Sequence, residues 1–482
     1  MAFDTGSRLA AFGDERPPAV VVAVQLPNVS DAELESSLEE LERLAKTLGL
    51  DPIGRVTQRR SGLATGIVLG EGKLVELAGW TGGTGIVEAY QKPGGAQKKD
   101  RGREDVDDED EDEDEDEDDG EDTSADLDDG AAAGPPADAR AKVVLVDHDL
   151  TPTQQRNLEK ATGVEVLDRT SVILEIFQRH AKTREARMQV EVARLRYLAP
   201  RLREGGGGGD RVRGGVGGKG AGETSLELDR RRIRDRIAEI RHELSQIEGG
   251  AKNRRTRRSE LPTVALVGYT NAGKSSLMRA LTGSDVYVAD KLFATLDTTV
   301  RRLQPPTEPP ILVTDTVGFI KKLPHDLVAS FRSTLDEAGA ADLLLHVIDA
   351  ADAAHADQLA VTREVLRDIE ADEVPSWLLL NKIDRVDEVG RASLRARYPN
   401  ALQLSARDKL DVAKLRDLLL EHFAGKLEEA ELSVPYAMQK IAHLIHERTT
   451  VLVEEHGDEG TRFVVRAPAR VLEDLRSQLA AN

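Results

Sequence analysis

The first third of the chain alternates short apolar runs with amphipathic stretches. Residues 19–25 are almost entirely apolar and predict a buried strand. Residues 31–48 carry leucine at helical spacing behind Ser30, a residue type that favours the start of a helix. The order strand, helix, strand returns at 142–147, 151–162 and 164–168. This alternation predicts an α/β layer.

Two long helical stretches follow. Residues 171–203 are charged and periodic, and residues 225–248 carry an apolar stripe at helical spacing. Residues 205–222 between them are crowded with glycine, which makes a connection flexible. The simplest geometry is an antiparallel helical hairpin with a long tip.

The last half of the chain predicts two further units. Residues 263–424 repeat the order strand, loop, helix, which is typical of a doubly wound parallel sheet. Its apolar strands are expected at 263–267, 311–314, 342–348 and 376–380. Residues 428–482 form a small tail, for which we expect strands at 449–454 and 461–466 and a helix at 469–479.

Composition changes this picture at one place. The 482 residues include 66 Lys and Arg and 87 Asp and Glu, a net charge of −21. Residues 104–129 hold 20 of the acidic residues and no basic one, so the remaining 67 acidic and 66 basic residues nearly balance. The surrounding residues 94–141 have too few apolar side chains to offset the entropy of ordering, and we expect a disordered insert. The acidic tract is either a solubilising segment or a nucleic-acid mimic that covers a basic surface of the same chain.

The absence of cysteine excludes disulfides, cysteine-ligated zinc, iron–sulfur clusters and cysteine nucleophiles. The amino-terminal residues lack the basic and apolar regions of a signal peptide. No apolar run approaches the roughly 18 residues that a membrane-spanning helix requires. We therefore expect a cytoplasmic protein.

A phosphate-binding loop is the first chemical motif. Residues 268–275 read Gly-Tyr-Thr-Asn-Ala-Gly-Lys-Ser, which fits the P-loop pattern, and they lie between a predicted strand and a predicted helix. Glycine lets the backbone curl so that its N–H groups point at phosphate. Lys274 can reach the β- and γ-phosphates, and Ser275 can hold Mg²⁺.

Two motifs can complete the metal and γ-phosphate site. Asp315 follows an apolar strand and can support Mg²⁺, while the N–H of Gly318 can sense the γ-phosphate. Between the P-loop and this strand, Thr295, Thr298 and Thr299 offer hydroxyls for the metal, and we favour Thr295.

Two other motifs indicate the base. Residues 381–384 read Asn-Lys-Ile-Asp after an apolar strand, and the carboxylate of Asp384 can accept from guanine N1–H and N2–H₂ together. Adenine lacks this pair of donors. A backbone N–H at Ser405 or Ala406 can meet guanine O6. The motifs therefore favour GTP over ATP.

These motifs define the predicted site. The GTP-binding residues are Gly268, Tyr269, Thr270, Asn271, Ala272, Gly273, Lys274, Ser275, Ser276, Phe293, Asp315, Gly318, Asn381, Lys382, Asp384, Ser405 and Ala406. The catalytic set is Lys274, Thr295 and Gly318, and the Mg²⁺ ligands are Ser275, Thr295 and Asp315.

Two side chains bear on the rate of hydrolysis. Phe319 occupies the position at which Ras-like enzymes carry a glutamine that orients water, so intrinsic hydrolysis is expected to be slow unless a partner or an ion supplies the missing element. Alternatively the ring belongs to the core, an interpretation compatible with the first. The side chain of Asn271 can coordinate a monovalent cation such as K⁺ beside the phosphates, or it can hydrogen-bond within the loop. The sequence leaves both pairs of alternatives open.

The sequence resembles the HflX-type GTPases over nearly its whole length outside the acidic insert. The resemblance is carried by residues 153–170, 184–187 and 220–224, by the switch segment 292–297, and by a glycine–lysine turn at 70–73. It implies a Ras-like P-loop GTPase domain preceded by an α/β N-terminal domain with a long helical hairpin and followed by a small α+β C-terminal domain. The domain bounds are then 1–175, with its insert at about 94–141, then 176–260, 261–425 and 426–482.

The resemblance also implies a partner, the large (50S) ribosomal subunit, and a role with stalled or hibernating ribosomes, including their splitting. A hairpin with a cationic tip is suited to phosphate contacts in folded RNA. The candidate rRNA-contacting residues are Arg211, Arg213, Lys219, Lys252, Arg254, Arg255, Arg257 and Arg258; the last five can equally be a solvated linker.

The expected function is therefore GTP hydrolysis coupled to ribosome binding, with Mg²⁺ and, if Asn271 coordinates it, K⁺ as ions. We expect a monomer that binds GTP, GDP and rRNA but not DNA, and peripheral membrane association stays open. The alternative is a GTP-dependent switch that binds a protein partner, such as a membrane protease or an RNA-modifying enzyme. An ATP-driven RNA remodeller is disfavoured by Asp384.

Overall fold

The computed structural model describes residues 16–87, 140–202, 225–258, 261–283, 292–293, 298–307, 309–321, 337–425 and 427–480. Within these residues the chain forms three β-sheets and a helical hairpin. The predicted acidic insert and glycine-rich tip lie outside the described residues. No helix within them is both long and apolar enough to cross a membrane.

The first sheet has four parallel strands in the order β2-β1-β3-β4. The strands are β1 (Pro18–Gln25), β2 (Asp51–Arg59), β3 (Val143–Val146) and β4 (Glu165–Asp168), and the helices around them are α1 (Asp31–Leu48), α2 (Glu71–Thr81) and α3 (Pro152–Thr162). Helices α1 and α3 begin with capping boxes at Ser30 and Thr151, which satisfy backbone N–H groups of the first turn. The sheet is the predicted α/β layer.

Strand β2 and helix α2 were not predicted. Strand β2 is an edge strand with mostly half-buried, polar residues, so it lacks a continuous apolar run. The glycine–lysine turn expected at 70–73 is the start of α2, with Gly70 at the cap position. A Cβ at Gly54 would lie 2.5 Å from the ring of Trp80, so glycine lets α2 pack onto this edge.

The single helical stretch predicted for 171–203 is wrong. The chain forms α4 (Arg169–His180) and α5 (Arg184–Leu198), separated where the Thr183 side chain accepts from the N–H of Ala186 and starts a new helix. Helix α4 packs on α1 and the first sheet, so the predicted domain boundary at 175/176 falls inside it.

Helices α5 and α6 (Ser225–Arg258) form the predicted hairpin. Their antiparallel direction is evident from the pairs Arg184–Glu243 at 2.5 Å and Arg236–Glu191 at 2.9 Å. Ile233 is part of the small apolar seam between the two helices. Helix α6 extends ten residues beyond its predicted end and takes in the basic run near residue 258.

The second sheet has six strands in the order β10-β9-β8-β5-β7-β6. They are β5 (Thr263–Val267), β6 (Thr299–Arg302), β7 (Leu312–Asp315), β8 (Leu343–Asp349), β9 (Ser376–Asn381) and β10 (Leu402–Gln403), and the helices are α7 (Lys274–Thr282), α8 (His355–Asp368), α9 (Glu388–Arg397) and α10 (Lys409–Ala424). The sheet is parallel as predicted except for the edge strand β6, which runs antiparallel to β7.

The third sheet is antiparallel, in the order β11-β13-β12. It contains β11 (Leu427–Pro435), β12 (Thr450–His456) and β13 (Gly460–Pro468), and it packs with α11 (Gln439–Arg448) and α12 (Ala469–Ala480). Strand β11 and helix α11 were not predicted. In β11 the buried residues Ala430, Leu432 and Val434 alternate with polar ones, so the period of two was the available signal.

Candidate nucleotide-binding and switch site

The P-loop connects β5 to α7 in a tight curl. Gly268 has φ 147°, and a Cβ there would lie 2.2 Å from the carbonyl oxygen of Val347, so no larger residue fits without a shift. Gly273, at φ 97°, is confined in the same way, since its Cβ would lie 2.3 Å from the amide nitrogen of Asn381. The glycines of the motif are therefore required by close backbone approach.

Lys274 begins α7 with its ammonium group inside the loop. It is 6% exposed, and its Nζ donates to the carbonyl oxygens of Gly268 and Tyr269, both at 2.9 Å. Burial lowers the pKa of Lys274 to about 8, an effect that the charge of Asp315 partly offsets. The side chain is thus held where the loop would surround phosphate groups.

Ser275 and Asp315 come together from α7 and from the end of β7. The Ser275 hydroxyl donates to the carboxylate of Asp315 at 2.7 Å, and Asp315 is fully buried. A hydroxyl and a carboxylate are hard oxygen ligands of the kind that Mg²⁺ prefers, so the pair fits this ion. Thr299 lies opposite Asp315 in the β6–β7 pair, whereas Thr295 is outside the described residues.

Gly318 brings the loop after β7 against the P-loop. A Cβ at this position would lie 3.0 Å from Lys274 Nζ and 2.9 Å from Cα of Thr270. Phe319 joins the two segments as well, because its carbonyl accepts from the N–H of Thr270 at 2.8 Å. The ring of Phe319 is 1% exposed, so the core interpretation of this residue holds.

The predicted base site lies at the ends of β9 and β10. Asp384 is exposed, and a hydrogen bond from the Ser405 side chain lowers the pKa of its carboxyl group. Asn381 is buried and joins two loops: its amide donates to the carbonyl of Ala272 at 2.8 Å and accepts from the N–H of Ala406 at 3.0 Å. Asn381 therefore holds together the P-loop and the loop after β10, next to Asp384.

The backbone N–H groups of Ser405 and Ala406, which were predicted to contact guanine O6, already donate to other residues of the protein. The N–H of Ser405 donates to Asp411 at 2.9 Å, and the N–H of Ala406 is taken by Asn381. Lys382 adds a further link, since its Nζ donates to the carbonyl of Asn271 and to Asp349, both at 2.7 Å.

Asn271 stands at the exposed turn of the P-loop with φ 59°. Its side chain forms no hydrogen bond to another residue in the described part of the chain, while its carbonyl accepts from Lys382. The described residues thus supply no loop hydrogen bond for this side chain, and the cation interpretation stays a prediction. Ser276 follows Ser275 in α7 and is half-buried.

Sequence reasoning missed that the N-terminal domain packs directly on the nucleotide loops. The hydroxyl of Tyr269 in the P-loop donates to Glu40 of α1 and accepts from the N–H of Lys321 at 2.6 Å. Arg169 of α4 donates from Nε to the carbonyl of Lys321 at 3.3 Å. An available signal was the charged residue Arg169, which stands between the apolar pair Val166 and Leu167 and the apolar residues of α4.

The switch segment before β6 makes the same kind of contact. The N–H of Leu292 donates to the hydroxyl of Thr47 at 3.2 Å. Phe293 is 2% exposed, and its ring packs edge-on against Phe177 with a centroid distance of 4.6 Å. The ring therefore lies in the core between the N-terminal and GTPase domains, and a contact of Phe293 with GTP stays a prediction.

The side chains of the candidate RNA-contacting residues are not among those that the structure describes. Arg211, Arg213 and Lys219 lie outside the described residues. Lys252, Arg254, Arg255, Arg257 and Arg258 belong to the last turns of α6 by their backbone, and their side chains lie outside the described part.

The site has the features that define a P-loop GTPase. These are a largely parallel sheet, a P-loop with a buried lysine, a Ser–Asp pair beside it, and a carboxylate that follows β9. Family models match residues 35–87 and 133–178 as a GTP-binding GTPase N-terminal region, 180–258 as a GTP-binding GTPase middle region, and 263–382 as a 50S ribosome-binding GTPase. The chain belongs to the HflX family of GTPases, and it is a GTP-hydrolysing enzyme of a ribosome-associated family.

Individual proteins are similar to this chain over large parts of its length. It is 53% identical to a GTPase HflX of Gluconacetobacter diazotrophicus over 97% of this chain and 98% of the relative. It is 45% identical to the GTPase HflX of Escherichia coli over 61% of this chain and 70% of that protein. Among solved structures, a GTP-binding protein from Sulfolobus solfataricus in complex with GDP is 22% identical, with a TM-score of 0.41 over 84% of this chain and 99% of that chain.

Replacing Asp384 by asparagine should weaken GTP binding by about 100-fold. The change removes a charged acceptor for two guanine donors, and charge-assisted hydrogen bonds contribute about 1.5–3 kcal/mol each. Equilibrium titration with a fluorescent GTP analogue measures the effect. Asp387→Asn, at the exposed cap of α9, is the matched control. Equal losses in both variants would contradict a base-reading role for Asp384.

Proposed function

We propose that this protein is a GTP-hydrolysing factor that binds the 50S ribosomal subunit and acts in the splitting or rescue of stalled or hibernating ribosomes in the cytoplasm. The observation that carries the proposal is the α5–α6 hairpin. Helix α6 has 34 residues, which at the rise of an α-helix is about 50 Å. A projection of this length on a GTPase can enter a groove in folded RNA.

The charge on α6 supports an RNA partner. Arg230, Arg234 and Arg241 are exposed and recur at intervals of four and seven residues, so they share one face of the helix. Double-stranded RNA is recognised mainly through its shape and its phosphates, for which a row of guanidinium groups is suited. The basic run at 252–258 adds further positive charge to the sequence of this helix.

The chemistry follows from the P-loop geometry. Lys274 and the backbone N–H groups of the loop would stabilise charge on the transferred phosphoryl group. Ser275 and Thr295 would hold Mg²⁺ with support from Asp315, and the ion would neutralise charge on the β- and γ-oxygens. Asp384, positioned by Asn381, would select guanine.

The water-orienting element would come from outside the described site. Phe319 fills the relevant position with a buried ring that cannot hydrogen-bond water. A partner that orders this loop, or an ion at Asn271, would therefore raise the rate. GTP would order loops 288–299 and 315–325, and these adjoin the contacts of Leu292 and Lys321 with the N-terminal domain.

The first test is GTP hydrolysis with and without purified 50S subunits. We expect strong stimulation, because the ribosome would supply the missing element. Single-turnover measurements on wild type and on a triple variant of Arg230, Arg234 and Arg241 to Gln separate RNA contact from nucleotide chemistry. A rate indifferent to 50S subunits would overturn the proposal and favour the switch that binds a protein partner.

A second arm of the assay compares K⁺ with Na⁺ at equal ionic strength. If Asn271 coordinates K⁺ at a site too wide for the smaller Na⁺, hydrolysis should be faster in K⁺, because the bound ion would place positive charge beside the phosphates where charge develops in the transition state. Asn271→Ala should abolish the difference between the two salts. A K⁺ preference that survives this substitution would rule out Asn271 as the ligand.

A further inference from the structure

A cleft at the end of the GTPase sheet opposite the nucleotide loops has no part in the proposed chemistry. It has a volume of about 510 Å³ and is lined by His346 in β8, Ser376 at the start of β9, Arg363 of α8, and Arg397 and Tyr398 at the end of α9. The nucleotide loops follow the carboxyl ends of these strands, whereas β9 begins at this cleft. The cleft is therefore separate from the GTP site.

The lining is cationic and contains no carboxylate. In the described part of the structure, neither Arg363 nor Arg397 has an acidic side chain within ion-pair distance. The guanidinium of Arg397 instead lies 5.5 Å from the centre of the Tyr398 ring. Two guanidinium groups without a counter-charge favour an anion, and their planar donors match phosphate oxygens.

The floor of the cleft holds a buried polar atom without a partner. His346 is 8% exposed, and its Nδ1 has no hydrogen-bond partner among the described residues. Burial lowers the pKa of His346 to about 4, and the charge of Arg363 adds to this effect. The ring is thus uncharged at neutral pH. A ligand can therefore hydrogen-bond to Nδ1 through an oxygen or an N–H without the ring having to gain a proton. An unsatisfied buried polar group is costly, which makes this an incomplete site.

The surroundings select a compact ligand over a nucleic-acid strand. The end of α8 and the turn that leads to Ser376 expose Asp368, Glu370, Asp372 and Glu373, and such a group of negative charges disfavours the approach of an extended polyanion from this side. A volume near 500 Å³ lies in the range of clefts that take small organic molecules. Tyr398 provides an aromatic wall for the uncharged part of such a molecule.

We propose that this cleft binds a small phosphorylated ligand of nucleotide size, with its phosphate group between Arg363 and Arg397 and with His346 as a hydrogen-bond partner. The ligand chemistry is that of a phosphate group, which can belong to an ester or to free inorganic phosphate. The site is independent of the proposed ribosomal role.

The test uses the full-length protein saturated with GDP and Mg²⁺, so that the P-loop is filled, and AMP as the probe. Equilibrium dialysis measures binding, and the fluorescence of Trp377, which lines the cleft, reports it in a Trp80→Phe background. We expect saturable binding of AMP, competition by inorganic phosphate and no binding of adenosine. AMP binding tighter than phosphate identifies an ester, and equal affinities identify free phosphate.

Variants locate the site. Arg363→Gln and Arg397→Gln should each weaken AMP binding at least tenfold, while GTP hydrolysis stays unchanged. Arg367→Gln makes the same charge change one turn further along α8, at an exposed position outside the cleft, and should bind AMP like the wild type. Unaltered affinity in the first two variants, or no saturable binding, would overturn the proposal. So would a single-stranded RNA that binds in the cleft and is not displaced by AMP.

Discussion

Replacing Lys274 by alanine should lower kcat/KM for GTP by about 10³-fold, or about 4 kcal/mol in transition-state free energy. The ammonium group is buried, fixed by two carbonyl oxygens and held at the mouth of the P-loop. In the proposed role it would stabilise charge that develops on the phosphoryl oxygens. Steady-state phosphate release in the presence of 50S subunits measures the loss.

The loss of activity should not result from unfolding, which a second variant, Lys274→Met, tests. Lys274→Met removes a charged group whose burial is unfavourable but leaves the buried Asp315 without a nearby positive charge, so urea unfolding of the nucleotide-free variant should begin at about the wild-type concentration. Lys414→Ala, at an exposed position of α10, serves as the matched control for activity. Retention of wild-type hydrolysis by both Lys274 variants would refute the assigned role.

Replacing Arg169 by methionine should cost about 3–5 kcal/mol of the free energy of unfolding. Arg169 is 1% exposed and pairs with two buried carboxylates, Glu40 and Asp147, the latter at 2.6 Å. Removing the guanidinium leaves both acidic groups in a low-dielectric interior without their counter-charge. Urea denaturation followed by circular dichroism measures the change.

Two variants separate charge from packing at this position. Arg59→Met removes an exposed arginine whose pair with Asp31 is open to solvent, so it should change stability by less than about 1 kcal/mol. Adding Glu40→Gln and Asp147→Asn to Arg169→Met should recover part of the loss, because the unpaired charges are removed. A loss in Arg169→Met no larger than in Arg59→Met would show that the network is not paired as described.

The nucleotide motifs were readable in the sequence because each is a short local pattern. The glycines at 268 and 273, Lys274 and Ser275 act through the conformation of one turn, and Asp315 and Asp384 each follow a strand of apolar residues. Strands of a parallel sheet end at a common edge, so these separate segments were expected to meet. Ser275 and Asp315 lie within hydrogen-bond distance, as that reasoning requires.

Other features needed the tertiary structure. The contacts of Tyr269 and Lys321 with Glu40 and Arg169 join segments more than 150 residues apart, and no local pattern encodes them. Phe293 was assigned to the nucleotide from its motif, yet it packs on Phe177. Edge elements such as β2 and β11 were missed because half-buried strands give weak patterns.

By itself, the sequence determined the class of nucleotide, the P-loop, the parallel strands of the GTPase sheet but not its antiparallel edge strand β6, and the hairpin. These depend on residue type, short spacing and hydrophobic period, all of which are local properties. Tertiary structure alone decided which surface of the N-terminal domain meets the switch loops, where Arg169 finds its partners, and that Arg363 and Arg397 flank a buried His346. Such features arise from packing between distant segments, where burial and the balance of charge select partners that spacing along the chain cannot specify.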